Sequence, residues 1–188
     1  MPLLDHFDIL APYYDQLLRA PAPERLIQLI DLPVFGTLLD VGGGTGRVSQ
    51  ALIGHASSIV VTDLSIGMLN QASTKKGLDT VCSRSENLPF QDECFERVIM
   101  VDALHHVIDH KITLRELWRV VKPGGRIVIE EPDIRVFSVK IVALMEKLAL
   151  MRSQFTSPPD ILDLFHYQNA HNSIERNGSI AWVIVNKV

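Results

Sequence analysis

The stretch from Leu38 to Val48 contains the residues best suited to binding a ligand. It places an acid, Asp40, two positions before a glycine-rich turn. The run from Thr37 to Val41 is apolar and β-branched, which is typical of a strand buried on both faces, and apolar residues recur at helical spacing from Val48 onward. A glycine turn between a strand and a helix brings a ligand against bare backbone, because glycine permits close approach and the helix start presents unpaired N–H groups.

The spacing of the glycines narrows the class of ligand. They fall as Gly42-x-Gly44-x-Gly46, and neither frame gives the G-x-G-x-x-G spacing of a dinucleotide site. No Gly-Lys-Ser/Thr follows, which excludes a P-loop. The carboxylate of Asp40 would repel a pyrophosphate and attract an ammonium group. The loop therefore favours a ligand that carries an amino group.

A second acid follows the next apolar strand, which runs from Ser58 to Thr62. Asp63 stands at the end of that strand, where a carboxylate accepts hydrogen bonds from both hydroxyls of a ribose. NAD enzymes also have an acid at the end of the second strand. The position of Asp63 therefore indicates that the ligand contains a nucleoside, but it does not indicate which reaction is catalysed. Taken alone, Asp63 suits equally well a cap for the helix predicted over Ser65–Ala72.

Two adjacent histidines are the candidate acid–base catalysts. His105 and His106 follow a predicted strand over Phe95–Val101, whose end we expect beside the first strand, at the crevice where open α/β sheets bind ligands. Histidine titrates near neutrality and accepts a proton from an oxygen or carbon acid. The alternative is that one histidine of the pair caps the strand or lines the cofactor pocket.

At this point the chain resembles the class I S-adenosylmethionine-dependent methyltransferases, whose first motif is an acid followed by G-x-G-x-G. The opening from Phe7 to Asp15 is similar to their F-D-x-x-A-x-x-Y-D segment, which forms a flap over cofactor and substrate. Ser85 to Phe90 resembles their adenine-contacting element, although Arg84 stands where the family commonly has an acid. Leu117 to Gly125 resembles their helix–turn–strand signature.

The resemblance implies S-adenosylmethionine as cofactor, S-adenosylhomocysteine as product, and a set of contact residues. Asp40 positions the methionine amino end through the loop, Asp63 holds the ribose, and the segment from Asp102 to His106 lines the route between methyl donor and acceptor. The implied cofactor-binding residues are Tyr14, Asp40, Gly42, Gly43, Gly44, Thr45, Gly46, Asp63, Leu64, Met68, Ser85, Glu86, Asp102 and Ala103.

The elements that position these residues alternate between strand and helix. This order predicts a Rossmann-like, doubly wound, mostly parallel sheet of seven strands. The turn signal Asn177-Gly178 predicts an antiparallel C-terminal hairpin. We expect Trp118 in the core and the acids at 130, 131 and 133 in a solvated turn, with a substrate-facing role as the alternative. A predicted helix over Ser138–Arg152 is apolar beyond one face, which indicates a lid, an apolar substrate pocket or a homodimer contact.

Length and composition set further limits. The 188 residues indicate a single domain, with a cap segment over 1–33, a cofactor-binding core over 34–135 and substrate-side elements over 136–188. The net charge of −4 and the absence of a basic tract argue against a nucleic-acid partner. The two cysteines show no metal-ligand spacing and favour a cytoplasmic location, no apolar run approaches a membrane span, and the N-terminus lacks the positive charge of a signal peptide.

Together these features predict methyl transfer from S-adenosylmethionine to a small molecule, with an apolar quinone-like or lipid-like acceptor favoured. Two alternatives stay open. An NAD-dependent oxidoreductase would share the fold and Asp63, and a non-catalytic protein would keep the cofactor pocket without turnover.

Overall fold

The structure is a computed structural model that describes Ala11, Asp15 and residues 23–148, 153–165 and 167–188. Residues 146–148 are described by their backbone only. Tyr14 and most of the predicted N-terminal flap lie outside the described residues. So does the end of the helix predicted over Ser138–Arg152.

Helices and strands alternate through most of the described chain, as the sequence predicts. The helices are α1 Pro23–Ile30, α2 Arg47–Ala51, α3 Ile66–Ala72, α4 His110–Val120, α5 Phe137–Leu148 and α6 Pro158–Asp163, with a 3-10 turn, η1, at Leu104–His106. The strands are β1 Val34–Val41, β2 Ala56–Asp63, β3 Asp79–Cys82, β4 Phe95–Val101, β5 Val121–Pro132, β6 Ala170–Asn177 and β7 Ile180–Lys187.

The seven strands form one sheet in the order β3-β2-β1-β4-β5-β7-β6. The first five run parallel, and β7 pairs antiparallel with both β5 and β6. The Rossmann-like fold class, the neighbouring positions of β1 and β4, and the antiparallel C-terminal hairpin are thus confirmed. The carboxyl ends of five parallel strands consequently meet at one edge.

Hydrophobic cores cover both faces of the sheet. Leu38 and Leu39 are successive residues of β1 with no exposed surface, and each belongs to a different core cluster. Neighbouring strand residues point to opposite faces, so this continuous apolar run is what a strand covered on both sides requires. Trp118 is buried as predicted and stacks on Tyr167, with ring centroids 4.2 Å apart.

Two element boundaries depend on local turns. Helix α2 ends at Ala51, because Leu52 and Ile53 donate to carbonyls three residues back and the chain turns. Strand β5 begins at Val121, which pairs with Phe95, and regular pairing with β4 resumes at Arg126 after an irregularity.

Helix α5 directly follows the carboxyl end of β5 and leaves most of its apolar side chains in solvent. Phe137 and Met145 are 76% and 61% exposed, while Val139 is buried. None of the helices in the described part of the chain is long and apolar enough to cross a membrane.

Candidate active site

The glycine loop continues from β1 and is anchored to the neighbouring strand. The backbone N–H groups of Gly42 and Gly43 donate to the Thr62 carbonyl at 2.8 and 3.0 Å. A Cβ on Gly43 would lie 2.6 Å from the Asp40 carboxylate, so only glycine fits above that acid. Gly44 has φ +56°, and a Cβ there would meet nothing closer than 3.9 Å. The loop is therefore packed tightly below and open above.

Asp40 lies beneath this loop and is 1% exposed. Ser49 donates to its Oδ2 at 2.6 Å, while its Oδ1 is buried with no hydrogen-bond partner among the described residues. Burial raises the pKa of Asp40 to about 6, an effect that the Ser49 hydrogen bond opposes and the nearby Asp63 charge reinforces. A buried carboxylate with one unpaired oxygen fits a cationic ligand group bound across the loop.

Asp63 joins the glycine loop to the start of α3. Its Oδ2 accepts from the Gly44 N–H at 2.9 Å and its Oδ1 from the Ser65 N–H at 2.8 Å. The N-cap of α3 is Ser65, whose hydroxyl accepts from the Met68 N–H, so Asp63 assists the helix start without being its cap residue. These two contacts hold the Asp63 carboxylate beside the glycine loop, at the carboxyl end of β2.

Two other residues of this region differ in burial. Met68 is buried, with its sulfur 3.9 Å from the position that a Cβ on Gly44 would take, so it forms part of the floor below the loop. Leu64 is 57% exposed at the carboxyl end of β2.

Thr45 is tied to two residues that the sequence reasoning did not select. Its hydroxyl donates to Asp15 Oδ1 at 2.5 Å, and Lys75 Nζ bonds both Asp15 Oδ2 at 2.6 Å and the Thr45 carbonyl at 2.7 Å. Desolvation raises the pKa of Asp15, but the hydrogen bonds from Lys75 and Thr45 lower it by more. The pKa of Asp15 is therefore below its usual value. Asp15 is the last residue of the N-terminal opening that resembles the methyltransferase flap, and its own side chain contacts the glycine loop.

The segment after β3 connects to the start of α4. Glu86 Oε1 accepts from the Ile108 and Asp109 N–H groups at 3.0 and 3.4 Å. Ser85 is half-buried, and Arg84 is exposed. In the structure Glu86 thus fixes the loop that follows the histidines.

Asp102 and Ala103 form the transition from β4 to η1. Asp102 adopts φ +53°, a left-handed conformation that is uncommon outside glycine, and its N–H donates to the Glu130 carbonyl at 2.9 Å. Asp102 is exposed and Ala103 is buried against the glycine loop, 2.7 Å from where a Cβ on Gly42 would lie. The loop and the β4 end are therefore adjacent, as the strand order requires.

The two histidines have different surroundings. His105 is buried; its Nδ1 lies 2.6 Å from Glu131 Oε2, and its ring stacks on Phe155 with centroids 4.5 Å apart. His106 Nδ1 lies 3.5 Å from the Ser153 hydroxyl. Burial, with a smaller effect from His105, lowers the pKa of His106 to about 3, so His106 is neutral at physiological pH.

The expectation of a solvated turn for the acids at 130, 131 and 133 is wrong, since Glu130 and Glu131 belong to β5 and Asp133 follows it. Glu131 is 4% exposed because it bonds η1, and Asp133 is buried because Arg135 donates to both its oxygens at 2.8 and 2.5 Å. Glu130 accepts from Trp182 Nε1 at 2.5 Å. Sequence gives no signal for these partners, since Trp182 and η1 come from distant parts of the chain.

Comparison with known proteins agrees with this geometry. Residues 39–129 match the family model described as a methyltransferase domain. A demethylmenaquinone methyltransferase of Paenarthrobacter aurescens is 32% identical over 166 residues, which cover 82% of this chain and 66% of that protein. The chain belongs to the class I methyltransferase family.

Two further comparisons extend this result. A ubiquinone/menaquinone biosynthesis C-methyltransferase of Xylella fastidiosa is 39% identical over 99 residues, covering 47% of this chain and 39% of that protein. A crystal structure titled as an S-adenosylmethionine-dependent methyltransferase, possible histamine N-methyltransferase, from Thermotoga maritima matches the fold with TM-score 0.77 at 22% identity, over 97% of this chain and 98% of that one. The chain spans slightly less than two thirds of the Paenarthrobacter relative's length.

Proposed function

We propose that this methyltransferase transfers a methyl group from S-adenosylmethionine to a small, apolar ring acceptor of the quinol class. The observation that carries the proposal is the buried Asp40 carboxylate, whose Oδ1 lies beneath the open glycine loop and has no hydrogen-bond partner among the described residues. An amino-acid nucleoside supplies the positive charge that this arrangement favours. When bound, S-adenosylmethionine supplies a methyl group activated by a sulfonium.

Each predicted cofactor residue receives a role on this proposal. Asp40 attracts the methionine ammonium across the loop formed by Gly42, Gly43, Gly44, Thr45 and Gly46. Asp63 accepts from the ribose hydroxyls, and Leu64 and Met68 border the nucleoside. Ser85 and Glu86 lie on the adenine side, Tyr14 covers the site, and Asp102 and Ala103 line the methyl end.

The acceptor class is inferred from charge, surface and relatives. Among the described residues no three side chains form a group that could hold a metal ion. The chain as a whole is acidic, and this charge disfavours an anionic polymer as substrate. Helix α5 exposes apolar side chains next to the carboxyl end of β5, which suits an apolar acceptor. The Paenarthrobacter relative is named as a demethylmenaquinone methyltransferase and the Xylella relative as a ubiquinone/menaquinone biosynthesis C-methyltransferase, which supports a quinone-like acceptor.

Two further predictions belong to this proposal. The exposed apolar face of α5 supports a homodimer contact, and sedimentation velocity will show whether the chain associates. Both cysteines are free thiols, which supports a reducing, cytoplasmic location.

The decisive experiment compares ligands and then tests turnover. Calorimetric titration should show binding of S-adenosylhomocysteine and none of NAD, since Asp40 opposes a pyrophosphate. The enzyme is then incubated with labelled S-adenosylmethionine and a short-chain demethylmenaquinol under reducing, oxygen-free conditions, and mass spectrometry should detect a product heavier by one methylene. Binding of NAD in place of S-adenosylhomocysteine would establish the oxidoreductase alternative, and cofactor binding without transfer to this acceptor would contradict the quinol class.

A further inference from the structure

A groove with a volume of about 250 Å³ lies between α1 and the antiparallel part of the sheet. In the described part of the chain it is lined by residues of α1, of β5 and of both strands of the C-terminal hairpin. The polar side chains among them are Arg25, Gln28, Arg126, Ser173, Glu175 and Asn186. Five of these six can donate hydrogen bonds, and Glu175 is the one acid. The groove is therefore richer in donors than in acceptors.

Arg126 brings unused donors to this groove. Its Nε donates to Asn186 Oδ1 at 2.7 Å, and its Nη1 donates to the Leu29 carbonyl at 3.0 Å. These two hydrogen bonds fix the plane of the guanidinium. A guanidinium carries five N–H groups in that plane, so three N–H groups of Arg126 have no partner among the described residues.

The neighbouring Arg97 shows the contrast. It stands opposite Arg126 in the register of β4 and β5, and all three of its guanidinium nitrogens donate to main-chain carbonyls, those of Ile30, Asp31 and Glu96. The Asp31 carboxylate also forms an ion pair with Arg97. Arg126 has no acid within ion-pair distance in the part of the chain that the structure describes. Its charge is therefore the less compensated of the two.

Arg25 brings a second cation to the groove from α1. It forms an ion pair with Glu175 of β6, and its guanidinium carbon lies 5.8 Å from the centroid of the Trp182 ring. The side chains of Arg25 and Glu175 are 48% and 42% exposed, so water screens their attraction and a ligand can share Arg25 with Glu175. Two arginines and one carboxylate give the groove a net positive charge, although the chain as a whole carries −4.

We propose that this groove binds a small organic anion, whose carboxylate or phosphate oxygens bond Arg25 and Arg126. Both groups present paired oxygens that match the planar donors of a guanidinium. The volume lies just below the range of about 300–1,000 Å³ that is typical of pockets for drug-sized ligands, which fits a small metabolite.

The groove is separate from the glycine loop. Six residues lie between Arg126 and Pro132 along β5, which corresponds to roughly 20 Å of strand. The cofactor residues cluster at the carboxyl end of that sheet edge, whereas Arg126 is near the start of β5. The inference is therefore independent of the proposed methyl transfer, and its test needs neither cofactor nor acceptor.

The test titrates the whole chain with succinate and, separately, with glycerol 3-phosphate at low ionic strength. Backbone amide NMR should show saturable shifts in α1, in the first half of β5 and in the hairpin. Saturation by only one of the two probes would assign the anionic group that the groove prefers. Saturation by neither, or shifts centred on the glycine loop, would overturn the proposal.

Variants identify the groups that bind. Arg126→Gln and Arg25→Gln should each weaken binding at least about tenfold, because charge-assisted hydrogen bonds are lost. Arg25 is exposed, so its replacement tests the site even if Arg126→Gln disturbs packing. Glu175→Gln should tighten binding by about twofold to fivefold, since it removes the acid that competes for Arg25.

Arg115→Gln is the matched control, because it removes an exposed arginine of α4 that does not line the groove. Its affinity for the probe should equal that of the wild-type chain. Equal losses in Arg115→Gln and Arg25→Gln would show that the probe responds only to net charge, and this result would refute a site in the groove.

Discussion

Replacing Asp40 by Asn should alter the pH dependence of stability and also weaken cofactor binding. The substitution keeps the shape of a side chain that is 1% exposed and removes its charge. In the wild-type chain the carboxylate is desolvated, and one of its oxygens has no hydrogen-bond partner in the described part of the chain. Its ionised form is therefore disfavoured until a cation binds nearby.

The size of the effect follows from the two pKa values. Folding raises the pKa of Asp40 from 3.8 to about 6. A group whose folded-state pKa is raised contributes stability that is complete below the unfolded value and is lost as pH rises through the folded value. The full difference corresponds to about 3 kcal/mol. Between about pH 5 and about pH 8, the wild-type free energy of unfolding should fall by about 1.4 kcal/mol through this group.

Urea denaturation of both chains across that pH range measures the difference. The wild-type free energy of unfolding minus that of Asp40→Asn should decrease by about 1.4 kcal/mol from the acidic to the basic end. Asp163→Asn, which neutralises an exposed acid, is the control and should show no comparable trend. Calorimetry should also show affinity for S-adenosylhomocysteine at least about tenfold weaker, equivalent to about 1.4 kcal/mol. A stability difference independent of pH would refute the reasoning about the buried charge, and unchanged affinity would refute its role toward the ligand.

Three further variants test the surroundings of the loop. Asp63→Ala should weaken S-adenosylhomocysteine binding by about 1.5–3 kcal/mol because charge-assisted hydrogen bonds are lost, and calorimetry with unchanged affinity would remove the ribose assignment. Gly44→Val should abolish binding of S-adenosylhomocysteine, while the circular dichroism spectrum stays the same. A Cβ at position 44 would meet no atom closer than 3.9 Å, although the φ of +56° is strained for a side chain other than glycine. Normal binding would mean that the loop does not touch the ligand. Lys75→Met should lower the free energy of unfolding by about 1 kcal/mol and weaken cofactor binding, because the contacts of Lys75 with Asp15 and the Thr45 carbonyl are lost. An unchanged melting temperature would show that these contacts do not stabilise the chain.

Much of the fold was predictable because it depends on local patterns. The apolar runs of β1, β2 and β4 identify buried strands, and Asn177-Gly178 marks the hairpin that the structure forms. The strand–glycine–helix order also predicts the glycine loop that the structure forms between β1 and α2. These signals lie within a few residues of each other, so no knowledge of distant contacts is needed to interpret them.

The surroundings of the two candidate histidines depended on distant contacts. His105 and His106 are adjacent in sequence and equivalent as candidates, yet one pairs with a carboxylate and the other is held neutral by burial. Glu131 lies near the carboxyl end of β5, where the sequence pattern predicts a solvated turn. It is buried because η1 brings two N–H groups and a ring to it from 26 to 28 residues away.

The order of residue types along the chain thus predicts the sheet and the glycine loop, because both follow from side-chain periodicity or backbone freedom within a short segment. The class of ligand follows from the charge of Asp40 and the spacing of the glycines. Only the tertiary structure determines which carboxylates are buried and which N–H or O–H groups donate hydrogen bonds to them. That outcome depends on what packs against a strand end, and the strand's own residues do not contain that information.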